Sequence, residues 1–380
     1  MPHYVRFLKP PRIEASSIKT LVTLTTDLGD SFLAEEVELT ASVLRVDDDD
    51  GSLNNGRHGM RCIKQKNFTW TAGSRQVLIA IDGLKLDLRR HGLQLHIGLA
   101  DHGHQPGPDD DFAVSSAIPM VISAWSPPFG GSGSPQADKL ALRWFRTRCP
   151  AEVRIWEETG NNLARHIWDA SLAWLMLFQE TLAPVNAGGG DDSQATSPFL
   201  VFKDLIRRKD KSHFNVIELG AGCGIVGIAL AQSLMDCLVV LTDLEEVRDI
   251  VTRNINVSNP AAGSKIDFQV LDWEMSIPSR ISEQQYDLIV VSDCTYNSDS
   301  LPALVDTMAA LINRSPRAAI IVALKRRHES EAVFFELMQR ARLDVCDKTR
   351  IQLPSICSDD HPEAVDIEIY CFRLSSPSLR

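Results

Sequence analysis

The chain has 380 residues, 44% of them hydrophobic and 23% charged, an ordinary globular balance that excludes a disordered or fibrous protein. With 39 Lys plus Arg against 50 Asp plus Glu, its formal charge of −11 offers no basic footprint for nucleic acid or an anionic membrane surface. No apolar run reaches the roughly 18 residues of a membrane span, and the first residues, MPHYVRFLKPPR, hold no apolar core of a secretory signal.

The length suggests two domains, a β-rich accessory domain over 1–157 and an α/β domain over 158–380. In the first, short runs rich in Val, Ile, Leu and Thr recur at Lys19–Leu24, Glu36–Val46, Gln76–Ile81, Leu93–Gly98, Pro119–Ala124, Lys139–Phe145 and Ala151–Trp156. Several alternate apolar and polar residues, as half-buried strands do. The turn-forming stretches Asp47–Gly59, Asp101–Asp111 and Ser126–Gln136 separate them. A sandwich or small barrel is expected. Asp101-His102-Gly103-His104 with Asp109-Asp110-Asp111 is the one run that could gather a metal, but its Gly and Pro interruptions read as a solvated loop, so no metal site is expected.

From residue 160 the period changes. A helix is predicted over Asn162–Thr181, then a flexible connection over 183–198. After it strands and helices alternate: Asn215–Leu219, Ile225–Met235, Leu238–Thr242, Glu245–Ser258, Ile266–Leu271, Tyr286–Ser292, Ser300–Asn313 and Ala318–Leu324. Such alternation predicts a doubly wound parallel sheet. A helix over Glu329–Ala341 then leads into two strands, Asp344–Arg350 and Asp366–Leu374, which read as an antiparallel hairpin at the sheet edge. The eight cysteines form no C-x-x-C pair, so zinc ribbons and dithiol redox motifs are excluded. Reduced, mostly buried thiols are expected, in a cytoplasmic or nuclear protein.

The strongest local signal is Glu218-Leu219-Gly220-Ala221-Gly222-Cys223-Gly224, where an apolar strand runs into alternating glycines and a helix follows at once. Glycines there allow φ > 0 and let backbone N–H groups approach a ligand. Asp243 ends the next strand about 20 residues on, where a carboxylate can accept both hydroxyls of a ribose. Gly222-x-Gly224-x-x-Gly227 also fits the dinucleotide fingerprint. Three features favour S-adenosylmethionine: Glu218 ahead of the glycines, a Trp-bearing helix before the motif, and the antiparallel last strand.

Glu158-Thr159-Gly160, Trp168-Asp169-Ala170, the glycine loop, Thr242-Asp243, Asp272-Trp273 and Asp293-Cys294-Thr295-Tyr296 follow one another in order. On these motifs, residues from about 155 to 374 resemble the seven-β-strand methyltransferases of the protein-lysine group, the methyltransferase-like 21 family and its fungal relatives. The resemblance implies an antiparallel last strand, S-adenosylmethionine as cofactor and a lysine of a protein substrate as acceptor. It implies that Gly220, Ala221 and Gly222 pass beside the cofactor, that Asp243 holds its ribose, that Trp273 lies along the adenine and that Asp272 meets the adenine amine. Trp168, Glu218, Gly224 and Ser292 complete the cofactor set. It implies too that Asp293 and Tyr296 border the acceptor channel, the carboxylate receiving the amine and the ring closing on the lysine stem.

Blander readings stand beside these. Asp293 could cap a helix beginning near Ser298, and Trp168 could be core packing. Lys325-Arg326-Arg327-His328 could meet an acidic substrate surface or be a solvated helix start. Cys223 and Cys294 read as small packing residues, since methyl transfer needs no thiol. At the level of function, the alternatives are a small-molecule N-methyltransferase, nicotinamide-like in its substrate, and a non-catalytic binding module.

Overall fold

A computed structural model describes residues 1–46, 60–84, 91–100, 110–111, 118–149, 152–160, 162–182, 199–207, 213–326, 332–354 and 365–375. The chain divides into two compact units, the first built chiefly from Met1–Thr147 and Ala151–Ile167, the second from Trp168–Leu353 with Pro362–Arg380.

The described residues of the first unit are chiefly β. Its strands are β1 (His3–Glu14), β2 (Ser17–Thr25), β3 (Val37–Val46), β4 (Met60–Trp70), β5 (Val77–Ile81) and β6 (Gly92–Leu99). Then come the short β7 (Asp110–Asp111), β8 (Val121–Ile122), β9 (Ala124–Trp125) and β10 (Phe129–Gly130), followed by β11 (Leu140–Arg146) and β12 (Glu152–Glu158). One sheet has the order β5-β2-β1-β8, the other β12-β11-β9-β6-β3-β4. Val5, Phe7, Val22 and Leu24 of the first share a core with Leu39, Ala41, Leu95 and Ile97 of the second, the arrangement of a sandwich.

Two long strands escaped the sequence reading. In β1, Pro10 and Pro11 fall where the pairing with β2 shifts register, between Lys9 and Arg12; an irregularity is where a strand tolerates residues without an N–H. In β4, MRCIKQKNFTW, polar residues outnumber apolar ones because most of the strand is at least partly exposed. The stretch Asp47–Gly59 and most of Asp101–Asp111 lie outside the described residues, as does 183–198.

The polar centre of this unit is a fully buried ion pair. Arg143 reaches Glu157 Oε1 at 2.5 Å, and its remaining donors meet the carbonyls of Ser123 and Val5. Glu157 Oε2 accepts the Ile167 N–H at 2.8 Å. That bond draws residue 167 away from helical pairing, and the chain before it makes only a 3-10 turn over Leu163–Arg165. The helix predicted from Asn162 therefore begins at Asp169, and Trp168 sits just ahead of it.

The second unit holds α1 (Asp169–Leu182), α2 (Leu200–Ile206), β13 (Phe214–Leu219), α3 (Ile225–Ser233), β14 (Cys237–Asp243), α4 (Arg248–Val257) and β15 (Lys265–Val270). It continues with α5 (Ser279–Ser282), β16 (Leu288–Ser292), α6 (Leu301–Arg314), β17 (Ala319–Lys325), α7 (Ala332–Arg340), β18 (Leu343–Gln352) and β19 (Asp366–Leu374). The sheet order is β15-β14-β13-β16-β17-β19-β18. Its first five strands pair in parallel. The inner ones, LIVVS and AIIVALK, are almost wholly apolar, as strands covered on both faces must be. β19 is antiparallel to both β17 and β18. The expected hairpin is present, with its last strand inserted inside the sheet and β18 at the edge.

From β13 the chain winds outward to β14 and β15, then returns to lay β16 on the other side of β13. That reversal opens a crevice at the carboxyl ends of β13 and β16, the place where open α/β sheets bind ligands. Among the described residues no helix is long and apolar enough to cross a membrane, and no group of three or more metal-ligating side chains gathers.

Candidate active site

The chain leaves β13 through Gly220-Ala221-Gly222-Cys223-Gly224 and enters α3. Gly220, Gly222 and Gly224 have φ of +67°, +53° and +81°, a region that a Cβ makes costly. Space forbids one as well. A Cβ on Gly220 would lie 2.5 Å from Cys294 Sγ and 3.2 Å from the Trp273 ring, and one on Gly224 would lie 2.9 Å from Leu241. The loop is braced from below: Ala221 N–H donates to the Thr242 carbonyl at 3.0 Å, and the buried Asn254 amide donates to the Cys223 carbonyl at 2.8 Å.

Glu218 is buried, and its carboxylate accepts the Gly227 N–H at 2.7 Å. That donor belongs to the first turn of α3, where the backbone has no helical partner of its own. Burial pushes the Glu218 carboxyl up to about 8. Its observed partner is thus the helix that shapes the loop.

Asp243, at the end of β14, turns both carboxylate oxygens into backbone contacts. Oδ2 accepts the Gly222 N–H at 2.8 Å and Oδ1 the Leu244 N–H at 2.7 Å. Each oxygen retains a second lone pair for a ligand hydroxyl. Burial raises its carboxyl above the usual range, against those two hydrogen bonds. After β15, Trp273 packs its ring against Gly220, and its buried indole N–H meets no acceptor among the described residues. Asp272 is exposed and caps the turn that follows, accepting the Glu274 N–H at 3.0 Å.

The tetrad Asp293-Cys294-Thr295-Tyr296 follows β16. Ser292 Oγ lies 3.5 Å from Ser171 Oγ of α1. Asp293 is buried with φ +57°, a conformation that a residue with a Cβ holds only when its surroundings impose it. The imposition is visible: its N–H donates to the Ala323 carbonyl at 2.8 Å, and its Oδ1 accepts the Lys325 N–H at 3.3 Å. The helix that Asp293 could have capped in the blander reading starts at Leu301 with Ser300 in the capping position; Asp293 is strapped to β17. Cys294 fills the space under Gly220, and burial, with Asp243 and Asp293 near, holds its thiol far above the ordinary value. Tyr296 is exposed, and its ring lies nearly parallel to that of Trp168, centroids 6.2 Å apart and planes 14° apart. Desolvation, and then nearby negative groups that include Asp243 and Asp293, raise its hydroxyl pKa.

Lys325 and Asp169 form a contact that their sequence context did not announce. Lys325, the last residue of β17, is buried and pairs with the buried Asp169 at 2.7 Å. The expectation of a solvated or substrate-facing basic run therefore fails at its first member. Arg326 pairs with Glu368 at 2.7 Å, and Arg327-His328 lie outside the described residues. The available signal was a lysine closing an otherwise wholly apolar strand.

The model of a lysine methyltransferase family matches residues 148–341, just over half of the chain. A UPF0665 family protein of Schizosaccharomyces pombe is 25% identical over 342 residues, 87% of this chain and 91% of its own. EEF1A lysine methyltransferase 3 of Xenopus tropicalis is 29% identical across 61% of this chain and 85% of its own. Protein N-lysine methyltransferase METTL21A of Danio rerio is 33% identical across 33% of this chain and 56% of its own.

Proposed function

The chain belongs to the lysine methyltransferase family, and on that premise we propose that it transfers a methyl group from S-adenosylmethionine to a lysine side chain of a protein substrate. Support for the cofactor comes from Asp243. Its two oxygens are held by Gly222 and Leu244, each with a lone pair left over, at the mouth of a loop whose glycines bring the backbone close. Gly220, Ala221 and Gly222 would line the cofactor, Trp273 would offer its ring to the adenine, and Asp272, Gly224 and Ser292 would complete the set. Glu218 serves the same purpose indirectly, by fixing the first turn of α3.

When bound, the cofactor supplies an electrophilic methyl on a sulfonium, with its own leaving group, so the protein needs no nucleophile of its own. The work of the chain is to hold and orient the acceptor. The single observation that carries this reading is the Asp293–Tyr296 tetrad beside the glycine loop, with Trp168, which the resemblance assigns to the cofactor set, lying against Tyr296 and so read as bordering the acceptor as well. The two rings offer an apolar wall to the four-carbon stem of a lysine. The Asp293 carboxylate accepts a hydrogen bond from the amine and keeps its lone pair aimed. A free lysine titrates near pH 10.4, and an apolar wall lowers that value by disfavouring the ammonium. Cys294, kept protonated by burial, takes no part.

The test is incubation with methyl-labelled S-adenosylmethionine and cell-lysate protein, followed by separation and peptide mass spectrometry. Label on lysine of a protein is expected. Label confined to the small-molecule fraction would replace the protein acceptor with a metabolite, and the absence of both label and cofactor binding would leave a binding module.

A further inference from the structure

The side chains of Asp169 and Lys325 meet at 2.7 Å with 0% and 5% of their surfaces exposed. A buried ion pair is weak support for a fold, since apolar residues of similar volume hold as well or better. Its neighbours suggest another use. Trp168 immediately precedes Asp169 and lies against Tyr296. The Lys325 N–H binds Asp293 Oδ1, and Asp293 stands three residues before Tyr296 in the chain. These contacts close a ring that runs from Trp168 and Asp169, through Lys325, to Asp293 and Tyr296, and back to Trp168.

Resting on the reading of this crevice as a methyl-acceptor site, we infer that the Asp169–Lys325 pair is a positioning element that sets the Asp293 carboxylate against the Trp168–Tyr296 wall. Neither charged group touches the acceptor. The pair ties the start of α1 to the end of β17. Trp168 comes from one side and Asp293 from the other, so a slip between the two elements would misalign the amine even with every proposed contact residue intact. A misplacement of about 1 Å is enough to slow a positioned reaction strongly.

The experiment uses the full chain with both charges removed together, Asp169→Leu with Lys325→Met, so that no unpaired charge is left buried. Circular dichroism should be native and the melting temperature should move by less than roughly 5 °C. Titration with S-adenosylmethionine should stay within about threefold of wild type. Transfer to heat-treated lysate protein should lose about tenfold or more in kcat, while the apparent KM in total protein changes little. A second readout needs no turnover. In protein labelled with fluorotryptophan, the Trp168 resonance (identified by Trp168→Phe) carries a ring-current shift that Tyr296→Leu removes, and the double variant should lose that shift too. An unchanged kcat, or a Trp168 resonance at its wild-type position, overturns the proposal and leaves the pair a fold element. If the double variant fails to fold, Asp169→Asn is read in the same two ways, and unfolding of both also overturns it. A wild-type protein that labels no protein lysine contradicts the acceptor reading instead, and the fluorine resonance then decides the ion pair alone.

Discussion

Asp243 Oδ2 accepts the N–H of Gly222 at 2.8 Å, so the residue that ends the second strand of the parallel sheet holds the loop that follows the first. A carboxylate placed there both shapes the glycine loop and faces what the loop binds.

Asp243→Ala should therefore do two things. It removes a charged acceptor for two ligand hydroxyls, and hydrogen bonds to charged groups contribute about 1.5–3 kcal/mol each. It also releases the Gly222 N–H. Affinity for S-adenosylmethionine, measured by calorimetric titration, should fall at least about tenfold with the circular-dichroism spectrum intact. Unchanged affinity would move the cofactor elsewhere.

Glu218 makes stability depend on pH. Its folded value of about 8 stands above the ordinary 4.5, so between those values the folded chain keeps a proton that the unfolded chain has released. Its contribution is complete below about pH 4.5 and is lost as pH rises through 8. Glu218→Gln retains an oxygen for the Gly227 N–H and cannot ionise. Denaturant midpoints from pH 5 to 9 should decline less for the variant than for wild type, and at pH 9 the variant should be the more stable. Parallel curves would show that Glu218 ionises normally.

Arg143 and Glu157 in the accessory unit form a pair with no solvent access. Removing one partner strands the other, a change that costs about 3–5 kcal/mol in buried pairs. Arg143→Met alone should lower the first unfolding transition seen by calorimetry, and Arg143→Met with Glu157→Gln should recover much of it. A single variant as stable as wild type would contradict the burial.

The sheet of the second unit was legible because its inner strands are nearly continuous apolar runs, its outer ones mix apolar and polar residues, and its breaks are glycine and charge. Asn215–Leu219 and Asp366–Leu374 are met within a residue by the observed strands. The motif residues converge because the reversal from β15 to β16 sets the glycine loop beside the tetrad, and topology of that kind follows from strand alternation. What stayed hidden depends on contacts distant in sequence. The start of α1 is set by a hydrogen bond from residue 167 to Glu157. The role of Lys325 is set by a partner 156 positions away. Polar β4 and proline-bearing β1 depart from the compositions that mark a strand.

The measurement closest to the central claim separates cofactor holding from transfer at Asp293. A group that aligns the acceptor acts in the transition state and contributes little to cofactor binding. Asp293→Ala should bind S-adenosylmethionine within a few-fold of wild type and transfer methyl to lysate protein about 10²-fold more slowly, the scale of a positioned polar group. Loss of cofactor binding in a folded protein would place the tetrad in the cofactor pocket, and transfer at the wild-type rate would contradict the account.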